Sequence, residues 1–116
     1  MKFENVDMPV LALRGLNVFP EMVITLDVQR DISVNAVNAA MKNEQVIFIS
    51  AQKDAEVEDT KFDDIYEIGV VAIIKQILKL PDNNLRVLVK GIRTAKINGF
   101  VSLKPFLVGN ITPVEI

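Results

Sequence analysis

The chain has 116 residues, enough for one domain, with 50% hydrophobic residues, 24% charged residues and a formal net charge of −2. It contains neither His nor Cys, which excludes imidazole acid–base catalysis, disulfides and His- or Cys-built metal sites. Its Lys and Arg residues are scattered rather than gathered into a phosphate-neutralising face, no apolar run reaches the ~18 residues of a membrane span, and residues 1–10 hold no signal-peptide core, so composition points to a cytoplasmic protein with neither a membrane nor a nucleic-acid partner.

Met8 to Leu13 is a short apolar strand that ends in a turn at Arg14-Gly15, and Phe19-Pro20 punctuates the chain. Met22 to Val28 alternates, with Met22, Ile24, Leu26 and Val28 on one face and Val23, Thr25 and Asp27 on the other, which is the pattern of a half-buried strand. From Arg30 to Asn43 the period changes: Ile32, Ala36, Val37, Ala40 and Met41 recur at helical spacing, Asp31 is placed to cap the start and Asn43 to stop the helix. Gln45 to Ala51 is an unbroken β-branched and aromatic run, as expected of a central strand. Gln52 to Ile65 is acidic and loop-like. Glu67 to Leu80 favours a strand by its density of Val and Ile, with Gly69 marking a bulge or bend. Pro81 to Asn84 reads as a turn, Leu85 to Ile97 as a strand, Asn98-Gly99 as a two-residue hairpin turn, and Phe100 to Gly109 as its partner strand, with Pro105 implying an edge or a bulge. The sum is an α+β, β-rich domain: about six strands in the order β-β-α-β-β-β-β, two hairpins in the C-terminal half, and a small twisted antiparallel sheet that curls toward a barrel around one main helix.

Chemistry is sparse. No glycine-rich phosphate loop occurs. The acidic stretch Glu56, Glu58, Asp59, Asp63, Asp64 and Glu67 lacks the ligand spacing and turn glycine of a Ca²⁺ loop, and it forms no recognisable acid/base pair, so it reads as a solvated loop. Arg14 and Arg30 follow strands and border turns, positions from which they would hold the acidic loop or meet a neighbouring subunit; Lys53 has the same standing.

Three blocks in order carry a resemblance. The first is MPVLALRGLNVFPEMVITLDVQRD, with Leu13-Arg14 followed by Pro20. The second is the helix. The third runs from Ala51 to Ile97, with AQKD at Ala51 to Asp54, then Asp63 to Tyr66, Leu80 to Asp82 and the Val-Leu-Val of Val87 to Val89. Together they resemble the N-terminal domain of Lon proteases over nearly all of the chain. Gln29 and Asn83 stand where that family usually has Gly, Lys90 where it usually has Glu, and Thr94 where it usually has Arg.

The resemblance implies a PUA-like barrel forming the N-terminal β-rich lobe of a longer protein. In that protein the domain would precede a helical segment, an AAA-type ATPase and a Ser-Lys protease domain in a hexameric, ATP-dependent serine protease. It implies a non-catalytic role in substrate recognition and assembly, with unfolded or tagged proteins and sister subunits as partners. No cofactor is expected in this chain, since ATP and Mg would belong to the ATPase domain. Because PUA-like barrels also bind RNA, an RNA-binding or stand-alone interaction module is the alternative; the scattered charge, the pI of about 5.1 and the single Tyr argue against it.

Capture of unfolded chains needs exposed apolar surface. Alternation puts Leu88 between Arg86 and Lys90, Ile73 and Ile77 with Lys75 and Lys79, and Val23 with Thr25 and Asp27, while Phe19 sits on a turn. These five residues, Phe19, Val23, Ile73, Ile77 and Leu88, are the candidate substrate-binding residues. The competing reading is that they pack under the helix, a loop or a following segment. On the capture reading, Leu88→Asp and Ile77→Asp leave the fold intact and weaken binding to an unfolded protein.

Overall fold

The computed structural model describes residues 5–114. Six strands and one α-helix follow one another as β1 (Val6–Leu13), β2 (Val23–Val28), α1 (Asp31–Met41), β3 (Val46–Ala51), β4 (Ile68–Lys79), β5 (Leu85–Ser102) and β6 (Val108–Pro113), with single 3₁₀ turns at Phe62–Asp64 and Pro81–Asn83. The expected order of elements and the expected β-rich α+β class both hold.

The sheet runs β2-β5-β4-β3-β1-β6, and β6 also pairs with β5. That extra pairing closes β5, β4, β3, β1 and β6 into a ring and leaves β2 outside it. The ring is mixed, not wholly antiparallel as expected: β1 runs parallel to β3, with Val10 opposite Phe48 and Leu13 opposite Ala51. The physical reason is the crossover from β1 through β2 and α1, which brings the chain back in the same direction.

Two cores lie on opposite sides of the ring wall. Inside are Met8, Val10, Ala12, Phe48, Val71, Ala95, Ile97 and Ile111, with Ile65 and Leu107 added from the loops. Outside, α1 packs on β1 and β3, and its Val34, Val37 and Ala40 belong to one cluster with Leu11, Ile47, Ile49, Val70, Ala72 and Ile74, which also takes in Leu26 and Val28 of β2 and Leu85, Val87 and Val89 of β5. Strand β3 is buried on both faces, which is why VIFIS reads as a continuous apolar run. Phe48 projects inward past Gly69, where a Cβ would stand 2.7 Å from the Phe48 ring. Gly69 therefore answers a close approach and not the bulge expected there.

The bulges lie elsewhere. Ala72 pairs with Gly91 and Val71 with Arg93, leaving Ile92 as the extra residue; a second shift falls between Ile74 and Gln76, leaving Lys75 unpaired. The first explains how odd-numbered residues of one strand serve two cores: Val87 and Val89 face the helix, whereas Ala95 and Ile97 face the ring interior.

Three further expectations are corrected. The helix begins at Asp31 with Arg30 in the N-cap position and no side-chain cap; Asp31 is the first helical residue, where its charge favours the positive end of the helix. The chain leaves α1 through Glu44 and Gln45, both at positive φ. Asn98-Gly99 is not a turn, because β5 runs on to Ser102 with a register shift at Asn98, whose side-chain amide donates to Asn110 Oδ1 (3.0 Å) and Thr112 Oγ1 (2.7 Å). The reversal into β6 comes later, around the cis Lys104-Pro105 bond. The turn between β4 and β5 is as expected, with Asp82 and Asn83 both left-handed (φ 61° and 62°).

Candidate functional site

The blocks that carried the resemblance divide into scaffold and surface. Gln52 is buried, and its amide donates to the carbonyls of Asp54 (3.1 Å) and Val57 (3.0 Å) while accepting from Thr60 Oγ1 (3.2 Å). Arg14 donates to Val57 O (3.0 Å), and Arg30 to Ala12 O (2.7 Å) and Thr60 Oγ1 (3.4 Å). Both arginines thus hold the loop after β3, but through one carbonyl and one hydroxyl, not through its carboxylates, and Arg30 also ties it to Ala12 of β1. Burial, together with the nearby charge of Arg14, lowers the Arg30 pKa from its ordinary value. Lys53 stands 5.9 Å from the centroid of the Tyr66 ring.

Gln52→Leu keeps the bulk but removes the three hydrogen bonds by which this side chain ties down Asp54, Val57 and Thr60, leaving Val57 O to Arg14 and Thr60 Oγ1 to Arg30. It is expected to lose roughly 1–3 kcal/mol and to make residues 53–61 the first site of proteolysis, read by thermal melting and limited digestion.

The surface part lies on β2, β5 and β4, on the side away from α1. Cross-strand partners share a face, so the register arranges it in rows. Val23, Lys90, Ile73 and Val46 form one row across β2, β5, β4 and β3; Thr25, Leu88 and Gln76 form the next; Asp27, Arg86 and Leu78 the third. Val23 and Leu78 are 58% and 53% exposed. Ile73, Val46 and Leu88 are half-buried. Arg86 Nε donates to Asp27 Oδ1 at 3.0 Å and is held above its ordinary pKa by that bond, so the charges of the third row cancel. Lys90 stands 3.9 Å from Glu21.

The structure therefore brings Val23, Ile73 and Leu88 together and separates the other two. Ile77 is corrected: the shift at Lys75 turns it to the helix side, opposite Val87, where it packs against the outer core. It cannot be altered without cost to the fold, contrary to expectation. Phe19, 60% exposed, is also elsewhere. Its carbonyl lies over Gly91 on the helix side, 3.0 Å or less from where a Cβ would be, and it lines a separate cleft of about 510 Å³ with Val18, Pro20, Tyr66, Ile68 and Thr94. The sequence reading missed Leu78 and Val46. Leu78 reaches the face only because of the shift at Lys75, which simple alternation does not reveal.

Among the described residues no helix is long and apolar enough to cross a membrane. Nor do three acidic side chains gather in a metal-holding arrangement among them.

Residues 7–116 match the family model described as the ATP-dependent protease La (LON) substrate-binding domain. The Lon protease of Clostridium acetobutylicum is 48% identical over 112 residues, which is 97% of this chain and 14% of that protein. That of Heliobacterium modesticaldum is 46% identical over 101 residues, 87% of this chain and 12% of that protein. The chain thus spans about an eighth of the length of these curated relatives. Among solved structures, the N-terminal domain of the Mycobacterium avium complex Lon protease superposes with a TM-score of 0.74 at 25% identity, over 96% of this chain and 56% of that one. The Lon N-terminal domain protein from Xanthomonas campestris gives 0.71 at 15% identity, over 95% of this chain and 60% of that one, and speaks for the fold alone. With the model matched from Asp7 onward and near-half identity over almost its whole length, the chain belongs to the Lon substrate-binding domain family.

Proposed function

We propose that the chain is the N-terminal β-rich lobe of a cytoplasmic, hexameric Lon-type ATP-dependent serine protease, and that its β2-β5-β4 face captures apolar segments of unfolded or tagged proteins. On this reading the ATP and Mg chemistry and the cutting belong to other domains, and this lobe supplies affinity. The observation that carries it is the set of rows just described: exposed Val23 and Leu78 share one sheet face with half-buried Leu88, Ile73 and Val46, the last of which also packs against the inner core, while the opposite face is buried in the outer core. Exposed apolar side chains grouped in this way mark binding surfaces. The interspersed Lys90, Gln76 and Thr25 keep such a face wet between partners.

RNA binding is not favoured, because the Arg86 charge is already neutralised by Asp27 and the face offers no aromatic ring for stacking.

The test is the double substitution Val23→Asp with Leu78→Asp. Both side chains are more than half exposed, so the far-UV circular dichroism and melting curve should be preserved. Affinity for a permanently unfolded protein, reduced and carboxymethylated lactalbumin, should fall by about tenfold or more in fluorescence anisotropy, corresponding to the loss of two apolar contacts. Unchanged affinity with an intact fold would remove this face from substrate binding.

A further inference from the structure

Strand β2 stands at the end of the sheet order, while each of the other five described strands has a neighbour on both sides. Its six residues, VITLDV, contain no Pro and no Lys, and the one charge, Asp27, is already engaged by Arg86. Natural sheets usually blunt a free edge with such residues, a bulge or a covering segment. Between Val23 and Val28 this edge has no Pro, Lys or bulge; the one bulge, of Glu21 and Met22 against Gly91, comes just before it.

Which groups it presents follows from the ladder. Met22 O accepts from Gly91 N at 2.9 Å, so Met22 directs its backbone toward β5. Alternation then turns Ile24, Leu26 and Val28 toward β5, and the N–H and C=O groups of Val23, Thr25 and Asp27 outward. Among the described residues, no backbone hydrogen bond outside the strand ladders involves these three positions.

The space beside the edge is a cleft of about 440 Å³, lined by Thr25 to Arg30 and by Leu11 to Arg14, with Leu16, Ser33 and the Asp27-bound Arg86. Arg14 and Arg30 both lie in it. Burial first, and then the charge of Arg14, lowers the pKa of Arg30. An anion between the two guanidinium groups would relieve that repulsion.

We propose that an extended segment of an unfolded substrate adds as a seventh strand along the free edge of β2, pairing with the outward backbone groups of Val23, Thr25 and Asp27. A segment of about six residues, roughly 20 Å, matches the edge. One alternating set of its side chains continues the apolar rows beside Val23 and Leu88. The other set enters the cleft toward Leu13 and Leu16, where an acidic side chain meets Arg14 and Arg30. The backbone contacts are blind to sequence, and the alternate apolar positions select for the buried strands that unfolding exposes. This inference rests on the substrate-capture reading and specifies how that same face holds its ligand.

The probe is an eight-residue peptide of alternating Val and Ser with one Glu among the Ser positions, compared with the same peptide N-methylated at every second residue. On binding of the unmethylated peptide to the chain, the amides of Val23, Thr25 and Asp27 gain hydrogen-exchange protection, while those of Ile24, Leu26 and Val28 are protected beforehand. N-methylation on the pairing side weakens binding by about tenfold or more, and so does Thr25→Pro, which removes only an outward N–H. Exchanging Glu for Lys in the peptide also weakens it.

If the Val23→Asp/Leu78→Asp variant loses lactalbumin while Thr25→Pro and peptide methylation change nothing, strand addition is wrong and the face reading stands. If neither set of changes matters, both fall. If Thr25→Pro does not fold, the methylated peptide on the unaltered chain decides. Protection of the three amides that rises with chain concentration in the absence of peptide would assign the edge to a second copy and overturn the proposal.

Discussion

Leu88→Asp should leave a folded chain that binds unfolded lactalbumin about tenfold or more weakly, whereas Ile77→Asp should cost the fold itself roughly 2–4 kcal/mol. The two residues lie on adjacent strands, Leu88 opposite Gln76 and Ile77 opposite Val87, and they project to opposite sides of the same sheet. Leu88 stands in the middle row of the open face between Thr25 and Gln76. A carboxylate there remains hydrated and charges the centre of the face. Ile77 packs against the outer core that contains Val87, Val89, Leu85 and Ile74, so an aspartate would be forced among apolar side chains or would expose them. Thermal melting separates the outcomes: a shift of roughly 10 °C for Ile77→Asp and little for Leu88→Asp. Equal shifts for both would mean that Leu88 is core and that the face is covered.

The largest loss of stability is expected from Gly69→Val. A Cβ at Gly69 would collide with the Ile49 carbonyl and come within 2.7 Å of Phe48 Cζ. The carbonyl belongs to the β3 backbone, and Phe48 is fully buried inside the ring, so neither neighbour can withdraw. Val adds two further methyl groups to that overlap. We expect a loss of more than about 3 kcal/mol, with Gly69→Ala less damaging but still clearly destabilising. Urea denaturation of the three proteins in parallel gives the comparison. Recovery of Gly69→Ala by Phe48→Leu would show that the ring and not the backbone sets the limit.

Both predictions turn on features that periodicity does not contain. The elements themselves were readable because their patterns are local. The alternation of Met22 to Val28, the helical recurrence from Ile32 to Met41 and the turn chemistry of Pro81 to Asn84 each act within a few residues. The single-residue insertions at Lys75 and Ile92 are set by pairing partners far away in sequence, and each changes which side of the sheet the following residues occupy. Alternation alone therefore puts Ile77 on the wrong side and passes over Leu78.

Asn98-Gly99 shows the converse. Its local preference for a tight turn is overridden because Asn98 finds Asn110 and Thr112 across the strand pair. The parallel alignment of β1 with β3 was likewise beyond reach, since it depends on how a crossover of more than thirty residues folds back. The motif blocks point to the family, and they hold both scaffold, as in Gln52, Arg14 and Arg30, and open face, as in Val23 and Leu88, two roles that spacing along the chain does not separate.

The ring is sealed by its first and last strands, Val6 lying opposite Ile111 and Pro9 opposite Val108. A ribosome delivering this chain therefore exposes β1 about a hundred residues before its partner emerges, and for that interval the inner core, with Phe48 and Ile97 among its members, has no wall on one side. Non-local closure of this kind is slow, so the domain commits to its native state only after nearly all of it has been made. On the reading proposed above, a domain that holds unfolded chains must itself pass through an incomplete fold, and its nascent state would offer the same kind of apolar strand that its open face is proposed to hold.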